Sequence, residues 1–251
     1  MRERLQGLGQ FVLWVKDVLV SLFTLRVSSR DLVYQLYFIG VKSQSVVFIT
    51  GAFTGMVLAA QTYFQFHRVR LDHATLAVVS VSMCAELGPV LAGLMVSGRV
   101  GAALAAELGT MRVTEQIDAL RTLAAHPIDY LVVPRFLATL IAMPLLTGAS
   151  IAIGIAAGYG LCRIFMGPFV TYAYDNMVYY TGPEDFVTGI IKAVVYGAII
   201  GMISCYKGMT CREGAEGVGR ATTEAVVYSS ITILITNFFL TLILNNLIQP
   251  A

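Results

Sequence analysis

Charge is what this 251-residue sequence has least of. Asp, Glu, Lys and Arg make up 13% of it, where soluble domains carry about 25%. With 57% hydrophobic residues and a mean hydropathy of +0.75, the shortage excludes a water-soluble globular domain and implies an integral membrane protein. A net charge of +2 gives no reason to expect a nucleic acid partner. The N-terminus lacks the continuous apolar stretch of a secretion signal, because Arg2, Arg4, Gln6, Gln10, Lys16 and Asp17 interrupt it. The four cysteines show no CxxC or zinc spacing, and His67, His73 and His126 have no second ligand at helical spacing, so no metal site is expected. No nucleophile and base stand together as a catalytic set. The phosphate-binding pattern GxxxxGK[ST] is also missing, so any ATP that powers this protein is bound by another chain.

What the sequence does have is apolar length. Spanning helices are expected near 44–64, 75–98, 131–161, 186–206 and 225–248, since a bilayer core of ~30 Å needs roughly 20 helical residues. Pro134 and Pro144 allow the long third segment a kink or a late start. Residues 1–28 read instead as an interfacial amphipathic helix, with Leu5, Leu8, Val12, Val15, Leu19, Leu22 and Phe23 on one face. Packing of that helix on its own membrane domain is an equally good reading. If the N-terminus is cytoplasmic, 13 of the 17 Lys and Arg residues fall on the inner side and three in outer loops. The positive-inside rule therefore puts the N-terminus in the cytoplasm and the C-terminus outside. The Tyr-rich outer loop at 162–185 suits the membrane boundary and could hold a short helix.

Three features stand out from this background. In "MRVTEQIDALRTLAAHP", Val113, Ile117, Leu120 and Ala124 step along one face of a short amphipathic helix near 112–125, which Pro127 closes. Its charged surface, with Arg112, Glu115, Asp118 and Arg121, suits either a connector against the membrane or a docking helix for a cytoplasmic partner. Upstream, "SGRVGAALAAELG" is rich in small residues that let helices approach closely, within one chain or across a dimer seam. Finally, Glu86 is the central and only charge between Thr75 and Ser97, and Lys192 lies inside the fourth span. A charge so placed costs about 2.5 kcal/mol or more on insertion scales. Two accounts stay open: the two charges pair directly, or they line a polar cavity for a charged substrate. Pro89, three residues after Glu86, removes a backbone hydrogen bond and can open the helix locally.

The run "ELGPVLAGLMVSGRVGAALAAELGTMRVTEQIDALRTLAAHPIDYLVVPR", with "IIKAVVYGAIIGMISCYKG" and "EGVGRATTEAVV", resembles the core of the MlaE/YrbE permeases over roughly residues 30–245. These are membrane subunits of ABC-type lipid transporters that work with MCE-domain proteins. The resemblance implies an all-α permease domain over 29–251, built as a homodimer in the bacterial inner membrane. It further implies a cytoplasmic MlaF-like ATPase that holds the ATP and magnesium, a periplasmic MlaD-like MCE protein, and phospholipid as substrate. No cofactor would bind this chain directly, and the chain would be a transport subunit rather than an enzyme. Glu86 and Lys192 would then make a lipid cavity polar, Tyr63, Phe64 and Phe66 would guide acyl chains, and Arg112, Glu115, Asp118 and Arg121 would meet the ATPase. The rival readings are an ATP-independent, proton-linked carrier with Glu86 as the proton site, and a non-transporting scaffold.

Overall fold

The computed structural model describes residues 2–24, 29–124, 126–167, 170–212 and 214–248, with side-chain surroundings in the first helix described only for 9–22 and none for residue 248. Helix is the only regular secondary structure among the described residues. In chain order the helices are α1 (Arg2–Thr24), α2 (Ser29–Ile39), α3 (Gln44–Arg68), α4 (Thr75–Ser82), α5 (Gly88–Val96), α6 (Ala102–Val113), α7 (Gln116–Thr122), α8 (Val133–Met166), α9 (Val170–Tyr180), α10 (Pro183–Met209) and α11 (Gly214–Ile248). Wider π-helical turns at Met83–Leu87, Ser97–Gly101 and Ile128–Val132 join α4 to α5, α5 to α6, and lead into α8. Five stretches are long and apolar enough to cross a membrane: Ser29–Arg68, Asp72–Val113, Ile128–Met166, Pro183–Met209 and Gly214–Leu247. The protein is all-α and multi-pass, as its composition requires.

The chain divides into two compact units. One comprises Ser43–Met95, Met143–Tyr196 and Ile233–Ala251. Its core gathers Ala59, Leu76, Val79, Met83, Cys162, Met166, Val170 and Ala173, so α9, in the Tyr-rich loop, is a packed element. Here α3 lies against α8 along a seam of glycines. A Cβ on Gly55 would overlap the backbone of Gly154, and one on Gly51 would stand 2.7 Å from Ser150 Oγ. Gly51, Gly55 and Ala59 recur at four-residue steps, the spacing that lets membrane helices touch backbone to backbone. The small-residue run at 98–106 shows no such uniform seam, because Gly98 has nothing within 4 Å of its missing Cβ.

The other unit comprises Met1–Lys42, Val96–Ala142 and Gly197–Thr232. Val18, Leu108, Ile117, Leu131, Val132 and Cys205 form its core, with Trp14 packed against it. The packed face of α1 differs from the expected stripe. Val12 and Leu19 are exposed, whereas Val18 is buried and Trp14 and Phe11 contact the Tyr206 ring at centroid distances of 5.4 and 5.0 Å. Large rings bury more area than aliphatic side chains, so they decide which way the helix turns. Ser21 adds a hydrogen bond to Asp129. Leu5, Leu8 and Phe23 of the expected stripe lie outside the described side chains.

The helix expected over 112–125 is shorter, and Arg112 belongs to the last turn of α6. Glu115, at φ +60°, is in the left-handed region and turns the chain between α6 and α7. The turn lets Ile117 drop into the core, where it is fully buried.

Candidate functional site

In the unit containing α3 and α9, the two charges within the spans meet. Lys192 Nζ donates to Glu86 Oε1 at 2.6 Å, to the Ala85 carbonyl at 2.9 Å and to Thr241 Oγ1 at 2.9 Å. An ammonium has three donors, and all three are satisfied. Glu86 Oε2 accepts from Asn237 Nδ2 at 3.1 Å, and Asn237 Oδ1 accepts from the Tyr196 hydroxyl at 2.6 Å. The Thr241 hydroxyl stands 2.8 Å from both Glu86 Oε1 and the Asn237 backbone carbonyl. Asn237 and Thr241 sit one turn apart on α11, so one helix face presents both.

The local sequence explains why the pair forms here. Pro89 has no N–H, so in a regular helix the carbonyl four residues back, that of Ala85, loses its partner. The π turn at Met83–Leu87 absorbs the defect, and the Lys192 ammonium takes the freed carbonyl. Gly189, one turn before Lys192 on α10, makes the reach possible. A Cβ there would run into the Cys84 carbonyl and stand 3.2 Å from the Pro89 ring. Proline, glycine and lysine thus act as one arrangement.

The exposure of the pair is uneven. Lys192 is 0% exposed, whereas the Glu86 side chain is 35% exposed. The open group of this site is therefore a carboxylate with residual accepting capacity, and the cation behind it is saturated. An apolar groove of about 430 Å³, lined by Phe53, Thr54, Val57, Leu58, Gln61 and Leu87, reaches the residue that follows Glu86.

The aromatic residues expected to guide acyl chains lie at the end of α3. Tyr63 stacks on Phe165 at 5.4 Å and on His67 at 5.4 Å, and Phe64 also touches Phe165. Phe66 shares none of those ring contacts; its carbonyl accepts from Val69 and Leu71 in the turn that ends α3. Sequence reasoning found both charges but missed Asn237, Thr241 and Tyr196. The signal was an amide and a hydroxyl four residues apart, one helical turn, in a span with no charged residue between 225 and 248.

In the other unit, Arg112 and Arg121 both reach Asp118, at 2.8 and 3.0 Å. Glu115 is exposed and forms none of these ion pairs. Arg135 pairs with Glu107 at 2.9 Å, donates to the Leu131 carbonyl at 2.6 Å, and keeps a buried Nε with no partner.

The sequence profile described as Permease MlaE matches residues 32–243. The chain belongs to the MlaE permease family. It is similar to a probable ABC transporter permease protein of Rickettsia felis, 47% identical over 94% of this chain and 91% of the relative. A probable ABC transporter permease protein of Synechocystis is 41% identical over 86% of this chain and 82% of its own length. The Arabidopsis chloroplast protein named TRIGALACTOSYLDIACYLGLYCEROL 1 is 39% identical over 89% of this chain and 64% of its own. Membership in a permease family identifies a transport subunit rather than an enzyme, and the five long apolar helices agree with it.

Proposed function

We propose that this chain is the permease of an ABC-type phospholipid transporter, moving lipid between the inner membrane and a periplasmic MCE-domain carrier. The observation that carries this reading is a partly exposed carboxylate, held by a saturated lysine inside an apolar span, with an apolar groove that reaches the next residue, Leu87. An amphiphile has one polar and one apolar end, and this site offers a counterpart to each. Glu86 engages the headgroup, Lys192 holds Glu86 in place, and the groove at Phe53, Val57 and Leu87 takes an acyl chain. The ring cluster of Tyr63, Phe64 and Phe165, with Phe66 nearby in sequence, anchors the outer end of the first span and steers chains there. The name of the chloroplast relative, which contains that of a glycolipid, supports a lipid substrate.

Energy comes from a separate cytoplasmic ATPase that binds ATP and magnesium. It docks on α7 and its flanks through Glu115, Arg121 and the Arg112–Asp118 pair. The working unit is a homodimer, and the many uncovered apolar side chains of α11 favour a second copy or lipid against that helix. The N-terminus is cytoplasmic and the C-terminus periplasmic, as the distribution of Lys and Arg favours. Helix α1 forms an interfacial element ahead of the permease domain.

Reconstitution with the ATPase and the MCE partner tests the reading directly. ATP-dependent transfer of labelled phospholipid between liposomes is expected, falling at least about tenfold in Glu86→Gln. Transfer that needs a proton gradient and no ATPase would overturn the reading in favour of an autonomous carrier. Unchanged transfer by Glu86→Gln would remove the headgroup role.

A further inference from the structure

The unit built around α1, α6 and α7 contains a polar cavity whose lining shares no residue with the Glu86 site. It holds about 210 Å³ and is lined by Lys207, Arg212, Arg220 and Glu224, with Thr210 and Gly217 beside them. Three cations against one carboxylate leave a surplus of two positive charges. Glu224 bridges two of the cations, taking Lys207 Nζ at 2.7 Å and Arg220 Nε at 3.1 Å. That contact uses only the Nε of Arg220, so both terminal nitrogens of its guanidinium remain to donate. Lys207 is also held 4.3 Å above the centre of the Tyr228 ring, which fixes the ammonium at the cavity wall. Glu216 is exposed and is not part of the lining.

We infer that this cavity binds a phosphate group carrying one or two negative charges. The chemistry is a planar guanidinium fork beside a pinned ammonium, a pairing suited to phosphate oxygens. The cavity lies where α10 ends and α11 begins, at the margin of two apolar spans, which is the level of lipid headgroups. Basic pockets between membrane helices take anionic headgroups. The phosphate of an anionic phospholipid is therefore one source, and a soluble phosphate is the other. The site is separate from the Glu86 site of the proposed function, and it stands whether or not Glu86 meets a headgroup. Gly217 lets α11 pass close to the backbone of Arg212, because a Cβ there would collide with the Arg212 carbonyl.

The test is native mass spectrometry of the delipidated full chain, titrated separately with phosphatidylglycerol, phosphatidylcholine and glycerol 3-phosphate. Binding of phosphatidylglycerol well above phosphatidylcholine is expected, weakened about fivefold by Arg212→Gln or Arg220→Gln and about 25-fold by both. Glu224→Gln is expected to strengthen it, since that change frees Lys207 and Arg220. Opposite signs from neighbouring substitutions distinguish a binding site from general damage, and circular dichroism melts check that each variant is folded. Saturation by glycerol 3-phosphate at comparable concentration would identify a soluble phosphate as the ligand. Equal binding of all probes by wild type and by the Arg212→Gln/Arg220→Gln protein would overturn the inference.

Discussion

Each of the two units contains one ion pair built to a common plan: a buried cation against a half-exposed carboxylate. Lys192 and Glu86 are 0% and 35% exposed, and Arg135 and Glu107 are 5% and 42% exposed. The difference lies in completeness. Every donor of Lys192 has a partner, whereas Arg135 keeps an unmatched Nε in a buried position. Glu86 is tied by three side chains, and Glu107 stands more open to its surroundings. A saturated pair within a span is hard to disturb without leaving a charge stranded. A pair with one spare donor and a more open carboxylate tolerates rearrangement better.

The comparison can be broken first at Lys192. Lys192→Met leaves Glu86 without its cation and the Ala85 carbonyl without a donor, at an expected loss of about 3–5 kcal/mol. Unfolding titrations in detergent micelles would measure it, and adding Glu86→Gln should recover a large part. Next comes Gly55→Ala, which forces α3 away from α8; its cost should be about 3 kcal/mol, the upper end for overpacking. Arg135→Met should be milder, about 2 kcal/mol, because the carboxylate it leaves behind is the more exposed one and the spare donor disappears with it. If its melting shift equalled that of Lys192→Met, exposure of the partner would not be what sets the penalty. The smallest effect belongs to Gly98→Ala, where open space and better helix propensity predict a gain of about 0.5 kcal/mol.

How far the sequence could be read depended on whether a feature was local or shared between helices. The scarcity of charge revealed the membrane class, and the isolation of Glu86 and Lys192 in apolar runs marked them out. Pro89 announced a freed carbonyl, but only the approach of α10 at Gly189 shows which donor takes it. Asn237 and Thr241 went unnoticed because each is unremarkable alone, and their meaning lies in facing Glu86. The rotation of α1 depended on Tyr206, nearly two hundred residues away in sequence. The break before α7 depended on Glu115 adopting a backbone conformation that a charged residue does not advertise.

The carbonyl released by Pro89 also acts as a pin. A helix that slid past its neighbour by one residue would move about 1.5 Å along its axis. Hydrogen bonds of 2.6 to 2.9 Å from one ammonium to Ala85, Glu86 and Thr241 could not all survive that slide. The three contacts therefore resist a lengthwise slide of α10 at this point. Lys192 thus holds α10 in register with both the π turn at Met83–Leu87 and α11.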